Sequence, residues 1–518
     1  MKFDRASGIL LHPTSLPGPH GIGDLGSQAY RFVDWLASTG CKLWQILPLG
    51  PTGYGDSPYQ CFSAFAGNQY LISPEELIQD GLLTQDDLTD KPDFNASRVD
   101  FGLLIPWKLD LLQKAFSRFA TSEVEGLRNG FEYFCAQNVA WLDDYSLFMA
   151  LKELNGGNAW NTWADPLRTR EKSALDKARG ELSDAILRHS FYQFLFFRQW
   201  ESVRKYANEK DIKIIGDAPI FVAYDSADVW SHPELFYLDE AGNPTVVAGV
   251  PPDGFSATGQ LWGNPLYRWD VHKETGYAWW VERIKFTLET IDILRLDHFR
   301  GFAGYYEIPA TEKTAENGHW VPGPGSDLFR VIDSKLSDGI ATTEITLPII
   351  AEDLGLVTPD VTALLDEFQL PGMKVLQFGF SGPDNPFLPH NYVENCVAYS
   401  GTHDNDTARG WFETADEEER EFALRYLNTQ PSEGSDPSGI HPQDKPSEGF
   451  AWNLIRCVWS SVAVIAVAPM QDVLNSGGEA RMNYPSRLGG NWEWRMREQD
   501  LDQSLADKLR ELNWLYLR

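Results

Sequence analysis

Eight short runs of bulky, often β-branched residues recur along this 518-residue chain with helical patterns between them. No other feature limits the fold as much, because a run that is apolar at successive positions suits a strand buried on both faces, as in a helix-covered parallel sheet. The runs fall at 8–11, 42–47, 212–216, 293–296, 349–352, 373–378, 396–400 and 462–467. Eight βα units are the number a (β/α)8 TIM barrel requires, so the expected class is α/β with a closed parallel barrel.

The helical patterns have their own punctuation. After the fifth run, Thr358 suits an N-cap and Pro359 a first turn, and Val361, Leu364, Leu365 and Phe368 form an apolar stripe that stops near Pro371-Gly372. Before the third run a long helix is expected, with Leu187, Phe191, Phe194 and Leu195 on one face and a charged tail through Lys205.

About 160 residues (48–211) separate the second and third runs, far more than the ten to fifteen of a crossover helix. The chain is therefore read as one catalytic barrel over 1–518 with inserted subdomains at about 51–205 and 219–270, and a smaller one at about 303–345. Insertions after strand C-termini build the walls of a barrel's active face. The segment 430–449, rich in Pro, Ser and Gly, reads as a surface loop or a lid.

Charge narrows the partners. Lys and Arg total 44 against 74 Asp and Glu, a formal net charge of −30, which repels phosphate backbones and anionic lipid surfaces. Neither nucleic acid nor membrane is an expected partner, and the longest apolar stretch, 462–470, falls short of a bilayer span of about 20 residues. The five cysteines are odd in number and lack C-x-x-C, which fits a reducing compartment. The expected location is the cytoplasm, or the plastid stroma for a chain that has shed a transit peptide. The histidines form no H-x-x-x-H pair near carboxylates, no D-x-D-x-D-G loop occurs, and neither GDLG (23–26) nor GDAP (216–219) is a phosphate loop. No metal or cofactor is expected.

Acidic clusters close three of the strand runs: Arg295-Leu296-Asp297-His298, Ala351-Glu352-Asp353, and Thr402-His403-Asp404-Asn405-Asp406. A single acid at a strand end is ordinarily a cap or a salt bridge; three on the catalytic rim of one barrel form a constellation. Two carboxylates about 5–5.5 Å apart permit retaining double displacement at a sugar, one attacking the anomeric carbon and the other protonating the departing oxygen. Asp297 suits the nucleophile, since Arg295 lies two residues earlier on the same strand face and favours its charged form. Glu352 suits the acid/base, and needs burial or neighbouring carboxylates to hold its proton. Asp404 suits stabilisation of oxocarbenium-like charge, with His298 and His403 donating hydrogen bonds. Asp353 points to the opposite strand face. Two further segments, 54–60 and 260–265, set Tyr59 and Trp262 beside Ser57, Gln60, Gln260 and Asn264, aromatic faces with short polar groups that suit sugars.

The runs GILLHPTSLPGPHGIGDLG, GYGDSPYQCFSAFAGN, GDAPIFVAYDSADVW, GVPPDGFSATGQLWGNPLY, LRLDHFRGF, IIAEDLG, GTHDNDT and EARMNYPS, in this order, closely resemble the 4-α-glucanotransferases (amylomaltases, disproportionating enzymes) of the α-amylase superfamily. The resemblance runs nearly end to end. It implies an elaborated (β/α)8 barrel without a C-terminal β-sandwich domain, acting on malto-oligosaccharides, amylose or glycogen-type α-1,4-glucans. It likewise makes Asp297 the nucleophile, Glu352 the acid/base and Asp404 the transition-state stabiliser. It adds Asp217, Arg295 and His403 at the central subsite, and Tyr59, Ser57, Gln260, Trp262 and Asn483 around flanking glucoses. Where ordinary amylases place Asn-His after the third-strand Asp, Asp217 is followed by Ala-Pro-Ile-Phe. The activity implied is transfer of glucan segments to a 4-OH acceptor. The alternatives are an α-amylase-like retaining hydrolase, a non-catalytic glucan binder, and a barrel isomerase using the carboxylates for proton transfer.

Overall fold

The computed structural model describes residues 3–518 apart from 122–124, 253–255, 338–346, 356, 429–446, 486 and 488. Twelve strands are named in chain order: β1 (Ala6–Leu10), β2 (Leu43–Gln45), β3 (Lys213–Pro219), β4 (Val246–Val250), β5 (Gln260–Pro265), β6 (Ile293–Asp297), β7 (Gly304–Pro309), β8 (His319–Pro322), β9 (Ile349–Ala351), β10 (Gly372–Val375), β11 (Cys396–Tyr399) and β12 (Ile465–Pro469).

Eight of them form one parallel sheet ordered β10-β11-β12-β1-β2-β3-β6-β9, which read from β1 is simply chain order. The two ends of that list meet where the Ala351 N–H donates to the Pro371 carbonyl at 3.0 Å. The sheet therefore closes, as a (β/α)8 barrel does. β1 and β12 are buried at every residue. Inside the barrel, Leu10, Leu43, Ile215, Ile293, Ile350, Val375, Val397, Tyr399 and Val467 pack as one apolar plug, and the buried Tyr399 hydroxyl donates to Gln45 at 2.9 Å. Close approach of strands is visible at Gly8, where a Cβ would lie 2.6 Å from the Leu43 Cβ.

All eight sequence runs contain or overlap a barrel strand, with two local departures. Residues 376–378 turn into a short 3-10 helix, and Val462, 52% exposed, precedes the last strand, which starts at Ile465. The helix after β9 spans Pro359–Phe368 with Thr358 at its N-cap, but the Thr358 hydroxyl makes no capping bond and instead accepts from Arg300 at 3.0 Å. The long helix is Ser183–Glu209, with Phe191, Phe194 and Leu195 buried. Leu187 is 41% exposed, against expectation. In those first turns the buried face is fixed by contact with the helix Val139–Leu154 through Ser190 to Ser146 at 2.8 Å and His189 to Glu153 at 3.0 Å, which turns Leu187 outward.

Between β2 and β3 lie the helices Pro74–Gln79, Phe101–Thr121, Glu125–Gln137, Val139–Leu154 and Lys172–Glu181 before the long one. The chain after β3 and the chain after β6 pair with each other: β5-β4-β7-β8 is a single four-stranded antiparallel sheet, with Val247 opposite Ile308 and Tyr306 opposite Trp320. Beyond β12 the described chain has short helical turns and the helix Gln503–Tyr516. Only the last three residues of the 430–449 loop expectation are described, as the start of the helix Ser447–Ser460; the rest lies outside the described residues. No described helix is long and apolar enough to cross a membrane.

Candidate active site

Parallel strands deliver their C-terminal ends to one rim, and the acidic clusters sit there. β3 and β6 are paired so that Asp217 lies opposite Arg295 and Pro219 opposite Asp297. Adjacent strands are only about 4.8 Å apart, so a side chain in one register position reaches its neighbour directly. The Arg295 guanidinium uses this: Nη1 donates to Asp217 Oδ2 at 2.6 Å and Nη2 to Asp297 Oδ1 at 2.9 Å. Arg295 is 3% exposed. Burial opposes its charge, but Asp217 and then Asp297 outweigh that and hold its pKa well above the ordinary value. Asp217 is pushed up to about 6, by burial first, against the pull of Arg295 and with the repulsion of Asp297. Its Oδ2 also accepts from the Tyr59 hydroxyl at 2.9 Å, whereas Oδ1 is buried without a partner among the described residues.

Glu352 follows β9, and the β6–β9 pairing continues past the strand ends, with Glu352 N–H to Leu296 O at 3.0 Å and Phe299 N–H to Glu352 O at 2.9 Å. Its two carboxyl oxygens accept from backbone, Oε2 from the His298 N–H and Oε1 from the Leu354 N–H, both at 2.8 Å. Burial, then the nearby negative charge of Asp297, raises the Glu352 pKa to about 8; Arg295 and the two N–H donors pull the other way and lose. His298 presents its N–H from a left-handed backbone, φ 52°, a conformation uncommon for a side-chain-bearing residue and one that turns the chain sharply after Asp297. Asp353 faces away from this pair, as expected, and accepts from the Met373 N–H at 2.6 Å.

The third acid lies in the loop after β11. Asp404 Oδ1 accepts from Asn483 Nδ2 at 2.6 Å, and Oδ2 lies 3.3 Å from His403 Nε2. Burial would raise its pKa; His403 and Asn483 overcome this and hold it far below the usual carboxylate range, while Asp404 holds His403 above its ordinary value despite burial. The His403 ring stacks on Tyr59, centroids 5.2 Å apart at 16°. Tyr59 thus joins Asp217 on one side to the Asp404 loop on the other.

The small antiparallel sheet brings Trp262 edge-on to the His298 ring, 4.8 Å at 85°, and Trp262 Nε1 donates to Gln260 Oε1 at 3.1 Å. His298 Nε2 is buried with no partner among the described residues, and burial lowers its pKa to about 4, so the ring is neutral at pH 7. Asp217, Arg295, Asp297, His298, Glu352, His403, Asp404, Tyr59, Trp262, Gln260 and Asn483 therefore form one connected neighbourhood. Ser57 touches it only through backbone: its hydroxyl accepts from the Tyr59 N–H at 3.2 Å and shapes the turn.

Three participants were missed. Trp492 lies 5.8 Å from Tyr59 and 6.0 Å from His403, ring to ring; a tryptophan after Gly489-Gly490 gave no periodic signal. Arg481 donates to the Asp404 carbonyl at 2.6 Å and the Asn483 carbonyl at 2.7 Å. Met373 takes the Arg295 Nε–H at 3.3 Å. Among the described residues no group of three or more His, Cys, Asp or Glu is arranged to hold a metal ion.

A closed parallel barrel with three carboxylates, a buried guanidinium and aromatic rings on its C-terminal rim is the architecture of a carbohydrate-active barrel enzyme. Residues 11–501 match the model of the 4-alpha-glucanotransferase family, and the chain belongs to that family. It is 50% identical to the 4-alpha-glucanotransferase of Thermus thermophilus over 515 residues, covering 99% of each chain, and 48% identical to that of Synechocystis sp. over 521 residues, covering 100% of this chain and 99% of the other. Its fold superposes on amylomaltase from Streptococcus agalactiae in complex with acarbose with a TM-score of 0.91, at 42% identity and 99% coverage of both chains.

Replacing Arg295 tests the electrostatic frame. Arg295→Met leaves the fully buried Asp217 without its countercharge, a change expected to cost about 3–5 kcal/mol. A lowered denaturation midpoint, partly restored by adding Asp217→Asn, is the expected outcome; a midpoint unchanged from wild type contradicts the frame.

Proposed function

We propose that this enzyme moves α-1,4-glucan segments from a donor to the 4-OH of an acceptor glucose or glucan by retaining double displacement. The observation that supports it most is the contrast between two neighbouring carboxyl groups: Asp297 is ion-paired with Arg295 at 2.9 Å, while Glu352 is held up to about 8. Glu352 is thereby kept as an acid beside a carboxylate that its ion pair holds in place, the division of roles that a retaining reaction needs.

With Oδ1 engaged by Arg295, Asp297 Oδ2 attacks the anomeric carbon, and the glycosidic oxygen leaves with the proton of Glu352. The products are a glycosyl ester on Asp297 and a shortened glucan. The acceptor 4-OH then gives its proton to the Glu352 carboxylate and its oxygen displaces Asp297, restoring both groups and the α configuration. Asp404, kept anionic by His403 and Asn483, faces the positive charge that develops on the sugar ring. The neutral His298 ring, with its unpartnered Nε2, suits a sugar hydroxyl. Asp217 and Arg295 hold the floor of the central subsite.

The 51–205 and 219–270 insertions are read as walls of the glucan cleft, with Ser57 and Tyr59 on one and Gln260 and Trp262 on the other, joined by His403 and Asn483. Aromatic faces at Tyr59, Trp262 and Trp492 suit glucose rings of an acceptor and displace water that would otherwise hydrolyse the ester. The amylomaltase of Streptococcus agalactiae, solved with acarbose, supports an oligosaccharide-sized ligand. All five cysteines are free thiols, in keeping with a reducing compartment such as the cytoplasm.

Maltotriose distinguishes the readings. Transfer yields glucose and a ladder of longer oligomers on a chromatogram; glucose and maltose without lengthening mean hydrolysis, and unchanged trisaccharide means binding alone. Asp297→Asn should abolish nearly all turnover while retaining glucan binding, and wild-type rates in that variant would remove Asp297 from the role of nucleophile. A second outcome follows from the sign of the Glu352 shift. A carboxyl raised to about 8 keeps its proton below that pH and loses it above, so kcat/KM should decline as pH rises through about 8. A profile flat to pH 10 contradicts the assignment.

A further inference from the structure

The loop 401–407 holds His403 and Asp404, and its two ends are bonded to a carboxylate from a different element. Asp472 sits in the short helix Met470–Val473 directly after β12 and is 1% exposed. Its Oδ2 accepts from the Ser400 hydroxyl, where the chain leaves β11, and its Oδ1 accepts from the Ala408 N–H, where the next helix begins, both at 2.7 Å. One carboxylate therefore spans the loop like a staple, with both oxygens used.

This arrangement is costly. Both donors are neutral, and no ion pair to Asp472 occurs among the described residues. Burial pushes its pKa up to about 6, which the Ala408 and Ser400 donors only partly offset. An apolar side chain of similar volume would avoid that desolvation, so the carboxylate is best explained by the geometry it imposes. Other bonds also hold the loop: within it, Thr402 to Asn405 at 2.9 Å and Thr407 to Asp406 at 2.8 Å, and from outside, Gln377 to the Asp406 carbonyl at 2.9 Å, with Asn483 and Arg481 on Asp404 itself at 2.6 Å. Asp472 differs from these in holding both ends of the loop at once, from the element that follows β12.

We propose that Asp472 is a positioning residue for the transfer reaction, acting through the loop that presents Asp404 and His403 to the sugar. The inference rests on the role given above to Asp404. Transition-state charge stabilisation depends steeply on placement, and a displacement of about 1 Å in a positioned group can cost about 100-fold in rate.

The test is steady-state transfer on maltotriose with the full-length chain. Asp472→Ala removes both anchors and should lower kcat about 10- to 100-fold with KM within about threefold, because Asp404 acts on the transition state more than on bound glucan. Asp472→Asn keeps the shape, accepts from Ala408 through its oxygen and donates to Ser400 through its amide, and should recover kcat to within about threefold of wild type. Ser400→Ala, which removes one anchor, serves if Asp472→Ala does not fold, and should lower kcat by an intermediate factor. In an Asp404→Asn background, Asp472→Ala should add less than about twofold, since the group it positions is already lost. Wild-type kcat in folded Asp472→Ala, a loss confined to thermal stability, or a full independent loss in the Asp404→Asn background overturns the proposal. Wild-type rates in Asp404→Asn alone overturn instead the role of Asp404.

Discussion

The Arg295 guanidinium, buried and bonded at once to Asp217 of β3 and Asp297 of β6, is the interaction on which the rim depends. Two carboxylates on adjacent strands would repel each other in a low-dielectric interior. One fixed cation between them converts that repulsion into a brace. The consequences spread outward. Asp217 accepts from Tyr59, Tyr59 stacks on His403, and His403 lies against Asp404. On the other flank the charge of Asp297 is one of the two causes that raise Glu352. On Glu352 the Arg295 charge pulls downward and is outweighed, and the burial of Arg295 itself is tolerable only because both of its partners are present.

The barrel was legible because its strands are buried on both faces and therefore read as short apolar runs, with an acidic cluster just beyond three of them. Local chemistry sufficed for that. Pairings between distant segments were not legible. The chain after β3 and the chain after β6 were read as separate insertions, and they share one antiparallel sheet, since nothing in either segment encodes its partner's register. Leu187 fitted a helical stripe and is exposed because a neighbouring helix, invisible to periodicity, decides which face is covered.

The site divides the same way. Asp297, Glu352 and Asp404 announced themselves by residue type at strand ends, and Arg295 by its two-residue offset from Asp297. Trp492 and Asp472 did not, because each meets the 401–407 loop from the last part of the chain and stands in no local pattern that marks it, and Arg481, though within the EARMNYPS run, carried no sign of its bond to that loop. Ser57 lies within a segment whose composition suits sugars, yet its hydroxyl serves the turn that presents Tyr59. Composition locates a cleft wall; it does not say which polar group of the wall faces inward.

The left-handed turn at His298 has a geometric consequence. Its N–H is bonded to Glu352, and the residue immediately before it is Asp297. The two carboxyl groups are thereby spaced by one covalent peptide unit and one hydrogen bond, a ruler built into the chain. Glu352 is tethered to the same peptide from which Asp297 departs, so the tie between the two acids does not depend on the strand ladder alone. The separation of the two acids is thus tied to one turn of the chain, while the third acid is held by bonds of its own.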